Sequence, residues 1–478
     1  MMTSPSAPRP APASTAGGPG LVSIACTAAL GFFLFGYDTA VINGGIDALS
    51  DHFGLSTGMR GFAVSSALLG CVVGAWFAGS LANRFGRTRL MVVAAILFLI
   101  SAIGSATAFG TIDFILWRII GGIGVGNASV IAPTYIAEVA PARSRGKLSS
   151  LQGLAGVVGI AAALFVNAAM AWTAGGAAEN LWLGIPAWRW MFVAEALPAL
   201  VYGVFALRVP ESPRFLVAIG READAAQILR RVGAADDIPE TIERIRRSLA
   251  GTRRMRLSDL RGAALGLQPI VWVGILVAVA QQFVGINVIF YYSTTLWRSV
   301  GFDESNALGV TAITSLINIG STVLSLLIID RVGRRRLLIV GALGMAATLG
   351  AMAIAFSQAV TADGAVVLPE PWGIIALVAS LLFVAFFGTT WGSVMWVLLG
   401  EMFPNRIRGA AMSVATAVNW IANFLVSATF PVLAALSLSV AYGFYAVSAL
   451  VAFFLVRRFV RETSGVEIED MRSSVAAE

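Results

Sequence analysis

Between Gln281 and Tyr292 the chain reads Gln-Gln-Phe-Val-Gly-Ile-Asn-Val-Ile-Phe-Tyr-Tyr, which sets Gln281, Gln282, Asn287 and Tyr292 inside a long apolar run. An unpaired amide in hydrocarbon costs several kcal/mol, so these side chains must face protein, water or a ligand. Gln281 and Tyr292 are eleven residues apart, close to three helical turns, and share a face. Asn287 joins them only if the helix loosens, and Gly285 supplies a place for that. A broken helix at membrane depth is where transporters build binding sites; the plainer alternative is that the amides only hold helices together. Asn318, Trp396, Asn419, Trp420 and Asn423 extend the set, with Asn419 and Asn423 one turn apart. Amide forks hydrogen-bond paired hydroxyls and an aromatic ring packs on C–H faces, so the set suits a neutral, polyhydroxylated ligand. It offers no cation for an anionic one.

A second constellation is ionisable. Asp38 lies in the first apolar span, where a carboxylate costs about 2.5–3.5 kcal/mol and so needs a partner or a pathway. Counting residues along the spans puts Arg118 and Glu195 at a similar depth, in the outer half of the membrane. Asp38 with Arg118 then forms an ion pair that protonation of Asp38 would break; a static structural pair is the alternative. No cluster of acids and hydroxyls suggests sodium coupling.

The elements that position these groups are membrane spans. The 478 residues are 58% hydrophobic and only 12% charged, about half the charge of a soluble domain. Twelve apolar segments, each about 20 residues long, follow residues 1–20, which read as a disordered cytoplasmic tail rich in Pro, Ala and Ser. Loops after even-numbered spans carry Arg84, Arg87 and Arg89, then Arg143, Arg145 and Lys147, then Arg331 and Arg334 to Arg336, then Arg406 and Arg408; those after odd-numbered spans are mostly acidic. The positive-inside rule therefore places both termini and the basic loops in the cytoplasm, and the net charge of +7 reflects topology rather than a nucleic-acid partner. One histidine, His52, and two cysteines, Cys26 and Cys71, offer no metal site, and no nucleophile and base pair suggests an enzyme.

An internal repeat divides the chain. Asn83-Arg-Phe-Gly-Arg87 follows the second span and Asp330-Arg-Val-Gly-Arg334 follows the eighth. Glu138 precedes Pro141, Arg145 and Gly146 by the same intervals as Glu401 precedes Pro404, Arg408 and Gly409. Two matched six-helix bundles with a site between them follow: residues 21–210 and 263–461, joined by an amphipathic helical linker at 211–262 and ending in a cytoplasmic tail at 462–478. Glu138, Arg145 and Arg84 in one half, and Glu401, Arg408 and Arg331 or Arg334 in the other, lie at cytoplasmic span ends. There they can hold the two bundles together as an inner gate.

These motifs together, with Gly36-Tyr-Asp38, Arg118-Ile-Ile-Gly-Gly-Ile-Gly-Val-Gly126, Pro133-Thr-Tyr-Ile-Ala-Glu138, Pro210-Glu-Ser-Pro-Arg214 and Glu462-Thr-Ser-Gly465, resemble the sugar porters of the major facilitator superfamily, most of all the bacterial proton-coupled xylose symporters. The resemblance covers nearly all of the chain after the tail. It implies an all-α major facilitator fold of 12 transmembrane helices and alternating access, with sugar contacted by Gln281, Gln282, Asn287, Tyr292, Asn318, Gly392, Trp396, Trp420 and Asn423, and by an aromatic wall at Phe35. It also implies that Asp38 is the proton-coupling group with Arg118 as partner, and that Glu195, Glu138 and Glu401 serve the conformational machinery. The chain departs from the xylose pattern in the fifth span, where Gly153 and Ile160 replace two glutamines and Gln152 is one residue off, and at Asn419, where the relative has Gln. The vacated room makes a hexose or polyol as credible as a pentose. The expectation is a monomeric proton:monosaccharide symporter of the inner membrane that needs no cofactor beyond the proton, with a uniporter or a sugar sensor as alternatives.

Overall fold

A computed structural model describes residues 19–140, 142–232, 237–250, 260–262, 265–362, 365–404 and 407–463. The two tails read from the sequence fall mostly outside these residues, as does Arg406.

Twelve helices or helix pairs among the described residues are long and apolar enough to cross a membrane. The first half comprises α1 (Pro19–Phe53), α2 (Thr57–Phe85), α3 (Arg87–Thr107), α4 (Thr111–Val139), α5 (Ala142–Ala174) and a broken sixth span, α6 (Ala187–Ala194) with α7 (Ala196–Arg208). Three short helices follow, α8 (Pro213–Ala218), α9 (Glu222–Val232) and α10 (Ile238–Ala250). The second half comprises α11 (Pro269–Phe283) with α12 (Ile286–Ser299), α13 (Glu304–Val332), α14 (Arg334–Ser357), α15 (Trp372–Phe387) with α16 (Ser393–Met402), α17 (Arg408–Leu436) and α18 (Leu438–Phe459). Two small antiparallel hairpins, Asn180–Trp182 with Ile185–Pro186 and Val360–Ala362 with Ala365–Val367, close loops at the end of the bundle away from the linker.

Without a hydrophobic drive between helices in lipid, close backbone contact has to hold them, and that needs small residues at the crossings. Gly36 on α1 is one such point: a Cβ there would overlap the Gly156 carbonyl of α5. Large apolar side chains such as Trp76 and Phe77 of α2 and Leu327 of α13 point outward and stay exposed, as a hydrocarbon-facing surface requires.

The linker helices bury a small core of their own, Leu216, Val217 and Ala225 against Ile228, Ile242, Ile245 and Leu249. Arg246, on the exposed side of α10, reaches the Glu222 carboxylate at 2.7 Å, which raises its already high pKa further. Two boundaries shift. Glu211 and Ser212 are docked on the first bundle instead of opening the linker, and Glu462 and Thr463 are docked on the second instead of belonging to a tail.

Candidate functional site

The amides of the seventh span meet at a helix break. Gly285 adopts a left-handed conformation (φ 81°) between α11 and α12, and a Cβ there would stand 2.8 Å from the Tyr445 ring. The break lets Asn287 turn back, so that its Nδ2 donates to the Gln282 Oε1 at 2.6 Å. Gln282 Nε2 donates to the Asn419 Oδ1 at 3.0 Å, and Asn419 Nδ2 to the Gln281 Oε1 at 2.8 Å and the Ala278 carbonyl at 2.9 Å. Gln281 Nε2 donates to the Trp391 carbonyl at 3.3 Å. That carbonyl belongs to a π-helical turn, Gly388–Gly392, which interrupts the tenth span as such turns do at functional sites.

Four amides on two spans thus satisfy one another, with the Trp391 carbonyl of a third, while Asn287 stays only half buried. Beside them the Trp420 indole is buried with no acceptor for its N–H among the described residues. A buried donor of this kind calls for a partner that the protein does not supply. Phe35 of the first half packs edge-on against Trp420 of the second, ring centroids 5.6 Å apart, so the cluster lies where the two bundles meet.

Other expected contacts divide. Asn318 is buried beside the π-turn, its Oδ1 3.1 Å from where a Cβ on Gly388 would stand. Gly392 closes that turn, and Trp396, one turn on, is 37% exposed. Asn423 accepts from Ser427 Oγ at 3.1 Å. Tyr292 is a correction: its hydroxyl donates to the Ser427 carbonyl at 2.9 Å, in the packing of its own half. Resuming the helix after Gly285 changes its phase, so Tyr291, not Tyr292, reaches the Asn423 side chain. Gln152 is buried with its Nε2 unpaired among the described residues, and next to it a Cβ on Gly153 would meet open space.

The ionisable set comes together in the first half. Arg118 Nη1 donates to the Asp38 Oδ1 at 2.8 Å and its Nη2 to the Asp38 carbonyl at 2.9 Å, with Asp38 and Glu195 fully buried and Arg118 nearly so. Glu195, at the break between α6 and α7, is within hydrogen-bonding reach of Asp38. Two carboxylates are both acceptors and can bond only by sharing a proton. Without that proton, Asp38 Oδ2 and both Glu195 oxygens have no donor among the described residues. One guanidinium balances one carboxylate, so a proton on the second makes the buried set neutral.

The charged motifs at the linker end form two matched networks, each inside one bundle. In the first, Arg87 lies 2.8–2.9 Å from both Glu138 oxygens, and Ser212 Oγ donates to Glu138 at 2.5 Å. Glu211 accepts from the backbone N–H groups of Arg87 at 2.9 Å and Thr88 at 3.2 Å, where an anion is favoured at the start of α3. In the second, Arg334 reaches Glu401 at 2.9 Å, Thr463 Oγ1 donates to Glu401 at 2.5 Å, and Glu462 accepts from the N–H groups of Arg334 at 2.8 Å and Arg335 at 3.1 Å.

In this conformation the expected inner-gate residues make no ion pair between the bundles among the described residues. Arg84 is exposed and lies over the Phe85 ring, Arg331 is exposed with no ion-pair partner among the described residues, and Arg408 donates to the Phe403 carbonyl at 3.1 Å instead of pairing with Glu401. The side chain of Arg145 lies outside the described set. Arg87 was legible as the counterpart of Arg334 in the repeat. Glu211-Ser212 and Glu462-Thr463 are a further acid-hydroxyl match that the repeat did not reveal until the networks were seen.

The halves are instead pinned at the opposite end. Asp47 of α1 accepts from Arg60 of α2 and, across the interface, from Thr295 at 2.9 Å and Arg298 at 3.1 Å of α12. Asn43 Nδ2 donates to the Phe290 carbonyl at 2.7 Å and its Oδ1 accepts from Thr294 at 2.6 Å. Glu304 accepts from the Ala177 N–H at 2.9 Å.

Residues 24–474 match the family described as sugar (and other) transporters. A glucose transport protein of Synechocystis is 52% identical over 96% of this chain and 98% of its own length. The D-xylose-proton symporter of Escherichia coli is 38% identical over 95% of each. Among solved structures, the inward open conformation of the Escherichia coli xylose transporter superposes with a TM-score of 0.80 at 36% identity, covering 95% of this chain and 99% of that one. The chain therefore belongs to the sugar transporter family, a multi-pass transporter of major facilitator fold and not an enzyme.

Proposed function

We propose that this protein is a proton:monosaccharide symporter working by alternating access, with a hexose of the glucose type as its substrate. The observation that carries the coupling is the fully buried set of Asp38, Arg118 and Glu195, in which one guanidinium balances only one of two carboxyl groups, so that the other favours a proton. The amide cluster and the unpaired Trp420 N–H supply donors and acceptors for a hydroxylated ring. A Cβ on Gly153 would meet open space, which leaves room for a six-carbon sugar, in keeping with 52% identity to a glucose transport protein. The linker and both chain ends lie in the cytoplasm by the distribution of arginines, the membrane is a bacterial inner membrane, and the transporter acts as a monomer with the proton as its only coupling species.

Reconstitution tests this. With the outside made acidic, proteoliposomes accumulate glucose against its gradient, and Asp38→Asn abolishes accumulation while sugar counterflow persists. Glucose that only equilibrates across the membrane, at the same rate with or without the proton gradient, would make the protein a uniporter.

A further inference from the structure

Along α1 and the α6–α7 span, five buried side-chain oxygens have no hydrogen-bond partner among the described residues: Tyr37 Oη, Asp38 Oδ2, both oxygens of Glu195 and Tyr202 Oη. A shared proton relieves the carboxyl pair. It does nothing for the two phenols, and a buried hydroxyl left unpaired costs about 1–3 kcal/mol.

These oxygens follow a line. Asp38 and Gly31 are seven residues apart on one face of α1, and Glu195 and Tyr202 are seven apart on the facing span, so both pairs run about 10 Å toward the linker end. At that level the Tyr202 hydroxyl lies against α1, 3.1 Å from where a Cβ on Gly31 would stand. The absent side chain is what leaves the hydroxyl its place. Tyr37 has its phenol within electrostatic range of Glu195 at the upper end of the line. Between the levels, Pro198 has no N–H and leaves the Ala194 carbonyl without its helical donor. One turn below Gly31, the fully buried Thr27 donates to the Ser23 carbonyl at 2.8 Å, and Ser23 is only half buried. Buried polar atoms without protein partners are met by ordered water.

We propose that α1 and α7 enclose a proton exit path inside the first half, running from the Asp38–Glu195 pair through ordered water and the Tyr202 hydroxyl to the linker end, apart from the sugar route between the halves. It rests on the reading of Asp38 and Glu195 as the proton site. In each turnover the carboxyl pair gives its proton to water. That water passes one to the Tyr202 oxygen as Tyr202 gives its own hydrogen to the next water, and a hydrated proton emerges near Ser23. The hydroxyl ends as it began, and the carboxyl pair is left with one more negative charge than Arg118 balances, which draws in the next proton.

Tyr202→Phe tests the path, because it removes one oxygen that has no protein partner and keeps the ring. Proton-driven accumulation is expected to slow about tenfold, while counterflow, which needs no net proton release, stays near the native rate. Gly31→Ala, which crowds the hydroxyl without removing it, is expected to give the same split. Equal slowing of both reactions would mean that Tyr202 only packs, and unaltered accumulation would sink the path while leaving symport intact. If the native protein fails to accumulate sugar, symport falls and the path falls with it.

Discussion

At the scale of single residues, function here rests on polar atoms that have few places to go. Gln282 is the hub of the amide cluster, bonded to Gln281, Asn287 and Asn419. Gln282→Ala is expected to cut glucose affinity at least tenfold, equivalent to ~1.4 kcal/mol, with the melting temperature nearly unchanged. A thermal-shift titration reads both. The charged set was legible in the sequence because Asp38, Arg118 and Glu195 stand out in apolar spans and depth can be counted residue by residue. The choice between Tyr291 and Tyr292 was not legible. Adjacent residues on a helix differ by about 100°, and the turn at Gly285 resets the phase by an amount that a sequence does not state. Arg84 and Arg87 show the same limit, since both sit in one basic motif and only the turn at Gly86 (φ 96°) decides which one faces Glu138.

At the scale of elements, the informative features are interruptions and caps. Three spans are broken, at Glu195, at Gly285 and at the π-turn Gly388–Gly392, and each break lies beside the ionisable set or the amide cluster. Gly285 announced its break, being a glycine among amides. The π-turn could not be foreseen, because Gly-Thr-Thr-Trp-Gly fits an ordinary helix and the extra residue is stabilised by Gln281 donating to the Trp391 carbonyl. The caps are equally local. Glu211→Ala leaves the first N–H groups of α3 without their acceptor and is expected to cost about 1–2 kcal/mol. A lowered midpoint in thermal unfolding, with the Asp38–Arg118 pair intact, would register it.

At the scale of the whole molecule, twelve spans and a two-fold repeat were readable from hydropathy and from matched motifs, because both properties hold in every conformation. The conformation itself was not, since one sequence serves all the states of the cycle. The structure has its halves joined at the end away from the linker, through Asp47 with Arg298 and Thr295, while the basic networks close within each bundle. In this conformation the basic motifs brace each half from within. Arg298→Gln removes one charge from the Asp47 junction. Since a partly exposed pair is worth about 0–1 kcal/mol, the expected result is a several-fold shift of population toward the opposite opening. Distances between spin labels on Phe53 and Phe302, longer on average in the variant than in the native protein, would report it.

The mutual bonding of Gln281, Gln282, Asn287 and Asn419 has a further consequence. A sugar entering the cluster trades one set of contacts for another: each hydroxyl that docks on an amide displaces an amide already docked there. Little net heat accompanies such a swap, so the amides chiefly reject a ligand whose hydroxyls they would leave unpaired, and the aromatic faces of Phe35, Trp396 and Trp420 add the rest of the grip. The outcome is a loose hold by design, suited to a carrier that must let go of its cargo as readily as it picks it up.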